Sequence, residues 1–173
     1  MDFDLTDRQA HFRDRVRAFI EREVRPAVPA LAAELNSGDR WHHLEGLEPL
    51  KAKARAEGLW NLFMPPGGAL RHVDETFRFE GEQLTNLEYA LCAEEMGRVG
   101  FASEVFNCSA PDTGNMEVLH RYGTRDQKEQ WLAPLMRGEI RSAFLMTEPA
   151  VASSDATNIQ CEIRREGGDY VIN

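Results

Sequence analysis

Cysteine is scarce and scattered in this sequence: Cys92, Cys108 and Cys161 are odd in number, far apart and outside any C-x-x-C. That argues against a disulfide framework or a cysteine-based zinc site and favours a reducing compartment. Long apolar runs are missing too. Nothing approaches the roughly 20 residues a membrane helix needs, so no span is expected. The opening MDFDLTDRQ lacks the basic and apolar regions of a secretory signal, which leads to the expectation of a soluble, intracellular protein. Positive charge is in deficit. A net charge of −9 argues against a duplex nucleic-acid binder, which displaces counterions with a basic footprint. Lysine occurs only at 51, 53 and 128, a bias from which no function follows. Neither G-x-G-x-x-G nor G-x-x-x-x-G-K-[ST] is present, so no Rossmann fingerprint or P-loop supports nucleotide binding.

What is present is enough to build a core. At 173 residues and 42% hydrophobic content, the chain suits one domain, or one domain and the start of another. Its first two-thirds reads as helices. Thr6 and Gln9 form a capping box, and Phe12, Val16, Phe19 and Val24 follow at helical spacing. Pro26 is expected to end that helix by pushing Arg25 out of the α region. Val28, Leu31, Ala32 and Leu35 predict a second helix closed by Asn36-Ser37-Gly38, and Leu44, Leu47, Leu50 and Ala54 a third, stopped by Gly58. The apolar segment Leu59–Pro66 breaks at Pro65-Pro66-Gly67-Gly68, and an irregular connection runs on to Glu82. Thr85 and Glu88 make a second capping box, with Leu84 and Tyr89 placed for a hydrophobic staple, and the helix runs to about Gly97. A helix is predicted over Asn115–Tyr122. Thr124 and Gln127 open another that carries Trp131, Leu132 and Leu135 to Gly138, with Pro134 inside as a bend.

After Gly138 the period changes. Ser142–Thr147 is short, apolar and bounded by Pro149, as a strand would be. Ile159, Cys161 and Ile163 alternate with polar residues, predicting a half-buried strand. Glu166-Gly-Gly-Asp169 is a turn, and Tyr170–Asn173 begins the return strand. The expectation is a helical domain, 1–138, followed by the opening of a β domain, 139–173.

Most chemistry-bearing residues have a plain structural reading. The five histidines lack metal-ligand spacing, so no metal site is expected. Glu94 and Glu95 are neighbours on a helix and point about 100° apart, which suits salt-bridge partners better than an acid–base pair. Cys108 with His120 has no nucleophile signature, and a buried inert thiol is the better reading. Phe144–Asp155 is different, because it places hydroxyls at Thr147, Ser153 and Ser154 just beyond a strand end, among small residues. Amides and hydroxyls there can approach a phosphate or an oxygen-rich ring edge. From the residues alone a strand-to-loop exit is preferred, with Asp155 as a cap or Asx turn. Glu148 and Asp155 would repel an anion unless they point away.

Phe144–Asp155, with Thr147-Glu-Pro149 and Ser154-Asp155, resembles the flavin-binding signature of acyl-CoA dehydrogenases. Phe3-Asp-Leu-Thr-Asp-Arg-Gln9, Val16-Arg-Ala-Phe19, Glu23-Val-Arg-Pro26, Glu94-Glu-Met-Gly-Arg98 and Tyr122-Gly-Thr124 with Gln127-Lys128, Trp131-Leu132 and Gly138-Glu139 resemble further family markers, in family order. The usual family form has glycines after Thr-Glu-Pro. Ala150-Val-Ala-Ser-Ser154 is one residue longer and has none, a version similar to the subgroup of family members ten and eleven. Ala150 stands where that subgroup has Asp.

The resemblance implies a mainly α fold: an acyl-CoA dehydrogenase-type N-terminal helical domain, then the first strands of an incomplete β-barrel-like middle domain. It implies an FAD-dependent oxidoreductase of fatty-acid β-oxidation that introduces an α,β double bond into a fatty acyl-CoA, passing electrons to an electron-transfer flavoprotein. Phe144 and Met146 would line the flavin ring, and Thr147 would sit near its reactive edge. Ser153 would contact the cofactor and Ser154 the acyl-CoA. The base is a glutamate of a C-terminal helical domain, so no residue here is assigned as catalytic, and Glu148 is not a substitute. The expected consequence is a segment that is inactive alone, binds FAD weakly or not at all, and forms a homo-oligomer only at full length. The bacterial cytoplasm is the expected location, or mitochondria or peroxisomes in a eukaryote. The alternatives are a non-catalytic helical interaction module derived from the same fold, or part of an acyl-CoA oxidase.

Overall fold

The first capping box forms as its residues require. The Thr6 hydroxyl accepts the Gln9 N–H at 3.2 Å, and Gln9 Oε1 accepts the Thr6 N–H at 2.8 Å, starting α1 (Asp7–Phe19). The computed structural model describes residues 4–39, 41–66, 71–79 and 81–173. Phe3 of the opening motif and Gly67-Gly68 of the expected break therefore lie outside the described residues.

Pro26 does not end the first helix. A π turn (Ile20–Val24) follows α1 directly and leads into α2 (Arg25–Leu35). The Arg25 N–H reaches back five residues to Ile20 O, a widened turn that takes up the missing proline donor. Pro26 then occupies the first turn of α2, where no donor is needed. Pro134 is handled in the same way. The box Thr124/Gln127 opens α7 (Arg125–Gln127), a π turn (Lys128–Leu132) follows, and α8 (Ala133–Arg137) carries Pro134 in its first turn.

Between these runs lie α3 (Glu48–Ala56), entered through a 3₁₀ turn (Glu45–Leu47), and α4 (Asn86–Gly97), opened by the Thr85/Glu88 box. A one-turn helix, α5 (Ala102–Val105), follows Phe101 at φ 68° and has no periodic signal in the sequence. α6 spans Asp112–Tyr122, three residues earlier than the period predicts. Gly58 and Gly138 stop their helices with φ of 68° and 72°, the left-handed geometry glycine allows cheaply. No helix or strand is assigned to the described part of 71–82.

The chain divides into two units, Met1–Ser142 and Ala143–Asn173. In the first, α1 packs on α4. Phe12, Val16, Phe19, Val24 and Leu31 join Leu59, Leu62 and Met64, Met96, Phe106, Met116 and Leu132 in one core. Phe19 meets Phe106 edge-to-face at 5.3 Å. Burying a side chain of this size stabilises by about 1.5–3 kcal/mol.

The second unit holds an antiparallel hairpin of β1 (Ile163–Glu166) and β2 (Asp169–Ile172), with Glu166 paired to Asp169 across the glycine turn. Two expectations are corrected here. Residues 142–147 are not assigned as a strand, since extended chain becomes a strand only through ladder bonds to a neighbour. Ile159 and Cys161 precede β1, and the strand is exposed on both faces rather than half-buried. Alternation alone does not bury a strand face; something must pack on it.

Candidate functional site

The loop after Thr147 is closed on itself by four polar contacts. The Glu148 N–H donates to Ser153 Oγ at 2.8 Å, and that hydroxyl points to Val151 O at 3.4 Å. The Glu148 carboxylate accepts from the Gln160 and Cys161 N–H groups at 3.0 and 2.9 Å. Asp155 caps a 3₁₀ turn (Ala156–Asn158), accepting from Thr157 N at 3.0 Å and Thr157 Oγ1 at 2.6 Å. Those bonds hold the Asp155 carboxyl below its ordinary range. The Asx-turn reading of Asp155 is thus observed.

The charge arrangement follows from these contacts. Both acidic side chains of the loop are turned onto backbone amides of their own unit. Ser153 is buried and its hydroxyl engaged, whereas Thr147 and Ser154 are exposed. Phe144 is 67% exposed and Met146 half-buried. The segment therefore offers an aromatic ring, a thioether, two hydroxyls and uncrowded backbone groups, with no carboxylate left unpaired by local donors. This donor set fits a flavin's apolar ring and its polar edge.

The residues entering this segment are held by a cluster that sequence spacing does not reveal. Asp112, buried at the start of α6, accepts from Ser142 N at 2.8 Å and Ser142 Oγ at 2.6 Å on Oδ1, and from an Arg141 guanidinium nitrogen at 2.7 Å on Oδ2. Asn115, one turn on, donates to Ser142 Oγ at 2.8 Å. Arg141 also pairs with Glu104 of α5, which takes the buried Lys51 of α3 at 3.0 Å. Asp112 and Ser142 are thirty positions apart, so the only local hint is an acid following Pro111 at a helix start.

The other sequence candidates sort as structural. Glu94 pairs with Arg98, and Glu95 takes Arg17 at 2.7 Å. Cys108 is buried, its thiol donating to Phe106 O and its pKa pushed up to about 12 by burial, so it is no thiolate nucleophile. His120 stacks edge-to-face with His72 and Phe79 instead. A cavity of about 550 Å³ in the helical unit is walled by Trp60, Phe77, Phe79 and Met136 among others; none of the candidate cofactor- or substrate-binding residues lines it.

With this geometry in place, comparison with known proteins is specific. Residues 6–139 match the acyl-CoA dehydrogenase N-terminal domain. Mouse acyl-CoA dehydrogenase family member 10 is 56% identical over 155 residues, covering 90% of this chain, and mouse family member 11 is 52% identical over 163 residues, covering 92%. A solved structure from Mycobacterium abscessus, described as an acyl-CoA dehydrogenase, is 50% identical and superposes with a TM-score of 0.81 over 99% of this chain. The chain spans 14% and 19% of the length of the two mouse proteins and 42% of the bacterial one. On a domain match that takes in most of its residues, and on likenesses of this depth, the chain belongs to the acyl-CoA dehydrogenase family.

Proposed function

We propose that this chain forms part of an FAD-dependent acyl-CoA dehydrogenase acting on a fatty acyl-CoA, contributing one wall of the flavin site. The observation that carries this reading is the loop after Thr147, whose two carboxylates are consumed by backbone amides while Thr147 and Ser154 stay exposed. Phe144 and Met146 would line the flavin ring and Thr147 would serve its polar edge, while Ser153 fixes the Glu148 amide of the loop that follows. Ser154 contacts the acyl-CoA. FAD, when bound, supplies the acceptor for the hydride leaving the β-carbon of the thioester.

Neither carboxylate of this loop serves as acceptor for the α-proton. A base must carry a free, positioned carboxylate, and those of Glu148 and Asp155 are committed to Gln160, Cys161 and Thr157. On this reading the 173-residue chain on its own is expected to be inactive and to hold FAD weakly or not at all. Electron-transfer flavoprotein as acceptor, homo-oligomerisation and a place in β-oxidation rest on family membership.

The test uses the purified chain with FAD and a saturated fatty acyl-CoA. The expected result is that acyl-CoA perturbs the Ser154 amide while flavin absorbance persists. Bleaching of the flavin by acyl-CoA would overturn the assignment of no base, and an unperturbed Ser154 would overturn its substrate role.

A further inference from the structure

We propose that Asp112 is a positioning residue for the flavin-wall segment: by fixing the backbone of Arg141–Ser142 it limits the mobility of residues 143–147, which follow directly in sequence. The proposal rests on the flavin reading of Phe144–Thr147 and goes beyond it, since Asp112 belongs to α6 and is not itself expected to touch cofactor or substrate.

An acid in the first turn of an eleven-residue helix has an ordinary explanation, complementing the positive end of the helix dipole. The bonds Asp112 makes point elsewhere. Oδ1 takes both donors of Ser142 and Oδ2 takes Arg141. Asp112 itself is buried, so its oxygens meet little competition from water, while Arg141 stays partly exposed. Asn115 secures the same hydroxyl from the next turn, and Glu104 holds Arg141 from a second helix. Two consecutive residues are thus pinned by side chains of α5 and α6, two positions ahead of Phe144. Backbone order at the cofactor wall is worth having before binding, because a segment ordered in advance does not pay that entropy when the ligand arrives.

The experiment uses the isotopically labelled 173-residue chain as wild type, Asp112→Ala, Asp112→Asn and Met116→Ala. Met116 is a buried residue of the same helix outside the hydrogen-bonded cluster and controls for lost stability alone. In Asp112→Ala the Ser142 amide is expected to exchange about tenfold faster, as suits a lost bond to a charged acceptor. Backbone order parameters of residues 143–147 are expected to fall below about 0.6. FAD-induced amide shifts at Thr147 are expected to need about tenfold more FAD, the same loss read through binding. Asp112→Asn keeps an oxygen for Ser142 and holds these changes within about threefold; Met116→Ala leaves the order parameters of 143–147 at wild-type values. Unchanged order in Asp112→Ala, or equal loss in Met116→Ala, overturns the proposal, as does lost order with unchanged FAD affinity. Should Asp112→Ala not fold, Ser142→Ala, which removes the hydroxyl's bonds to Asp112 and from Asn115 but keeps the Ser142 N–H bond to Asp112, must raise mobility at 143–147 or the proposal fails. If the wild type shows no FAD-induced shift, the flavin reading fails, and the order parameters still decide whether Asp112 orders this segment.

Discussion

The side-chain amide of Asn107 donates to Oδ1 of Asn61 at 2.7 Å, and both residues hold the left-handed backbone, with φ of 54° and 55°. Together they cap a helix end from a distance. Asn107 also donates to Leu135 O, and Asn61 and Trp60 both donate to Met136 O. Of the last carbonyls of α8, which lack intrahelical donors at the terminus, Met136 O is satisfied by side chains remote in sequence, and Leu135 O takes Asn107 beside the Gly138 N–H.

Replacing Asn107 separates bond from backbone. Asn107→Ala removes the buried donor and places a non-asparagine residue at positive φ, and is expected to destabilise by about 3 kcal/mol. Asn107→Gly loses the same bonds without the strain and recovers about 1 kcal/mol. Urea denaturation of both variants checks this; equal losses would show that backbone strain contributes nothing.

Gly138 faces a double constraint. Its φ is 72°, and an added Cβ would lie 2.9 Å from Trp60 Cζ2. Gly138→Ala is expected to cost about 2 kcal/mol and to shift Trp60 fluorescence as the indole moves. An unchanged midpoint and spectrum would contradict the close packing of α8 on Trp60.

His120 links stability to pH. Burial first, then His72 and Lys128, push its pKa down to about 4 from 6.5, so the folded chain keeps it neutral. As pH falls from 6.5 towards 4, the unfolded chain takes up a proton that the folded chain does not, and stability is lost. His120→Phe is expected to remove about 1–2 kcal/mol of that loss, allowing for the partial exposure of the ring. Melting temperatures of both proteins across this window decide it; parallel curves would contradict a half-buried imidazole held neutral.

Glu148 is predicted to be a loop staple. Glu148→Ala should speed exchange of the Gln160 and Cys161 amides about tenfold, as expected for losing a charged acceptor, while leaving the helical unit's amides unchanged. Wild-type exchange at 160–161 would free the carboxylate for other roles.

The legible parts of this fold were the local ones. Thr6/Gln9, Thr85/Glu88 and Thr124/Gln127 are boxes whose partners lie three residues apart, and Gly58, Gly138 and the Glu166–Asp169 turn carry their geometry in residue type. Pro26 misled because a proline stop assumes an α-helical turn, and the π turn at Ile20–Val24 is sustained by the core packing of Ile20 and Val24. Segment 142–147 reads as a strand from its apolar character, but strand pairing depends on a neighbour. Within the candidate site, the hydroxyls and the Asx turn of Asp155 were visible in sequence. The seat of Glu148 on residues 160–161, the burial of Ser153 and the Asp112–Ser142 clamp were not, because each joins groups that only folding brings together.

The most direct test of the flavin-wall reading is a residue-resolved FAD titration of the labelled chain. The account predicts saturable amide shifts confined to Phe144–Thr147 and Ser153–Ser154, weakened by Thr147→Val and absent when buffer without FAD is added. Shifts elsewhere in the chain, or none at any FAD concentration reached, would contradict it.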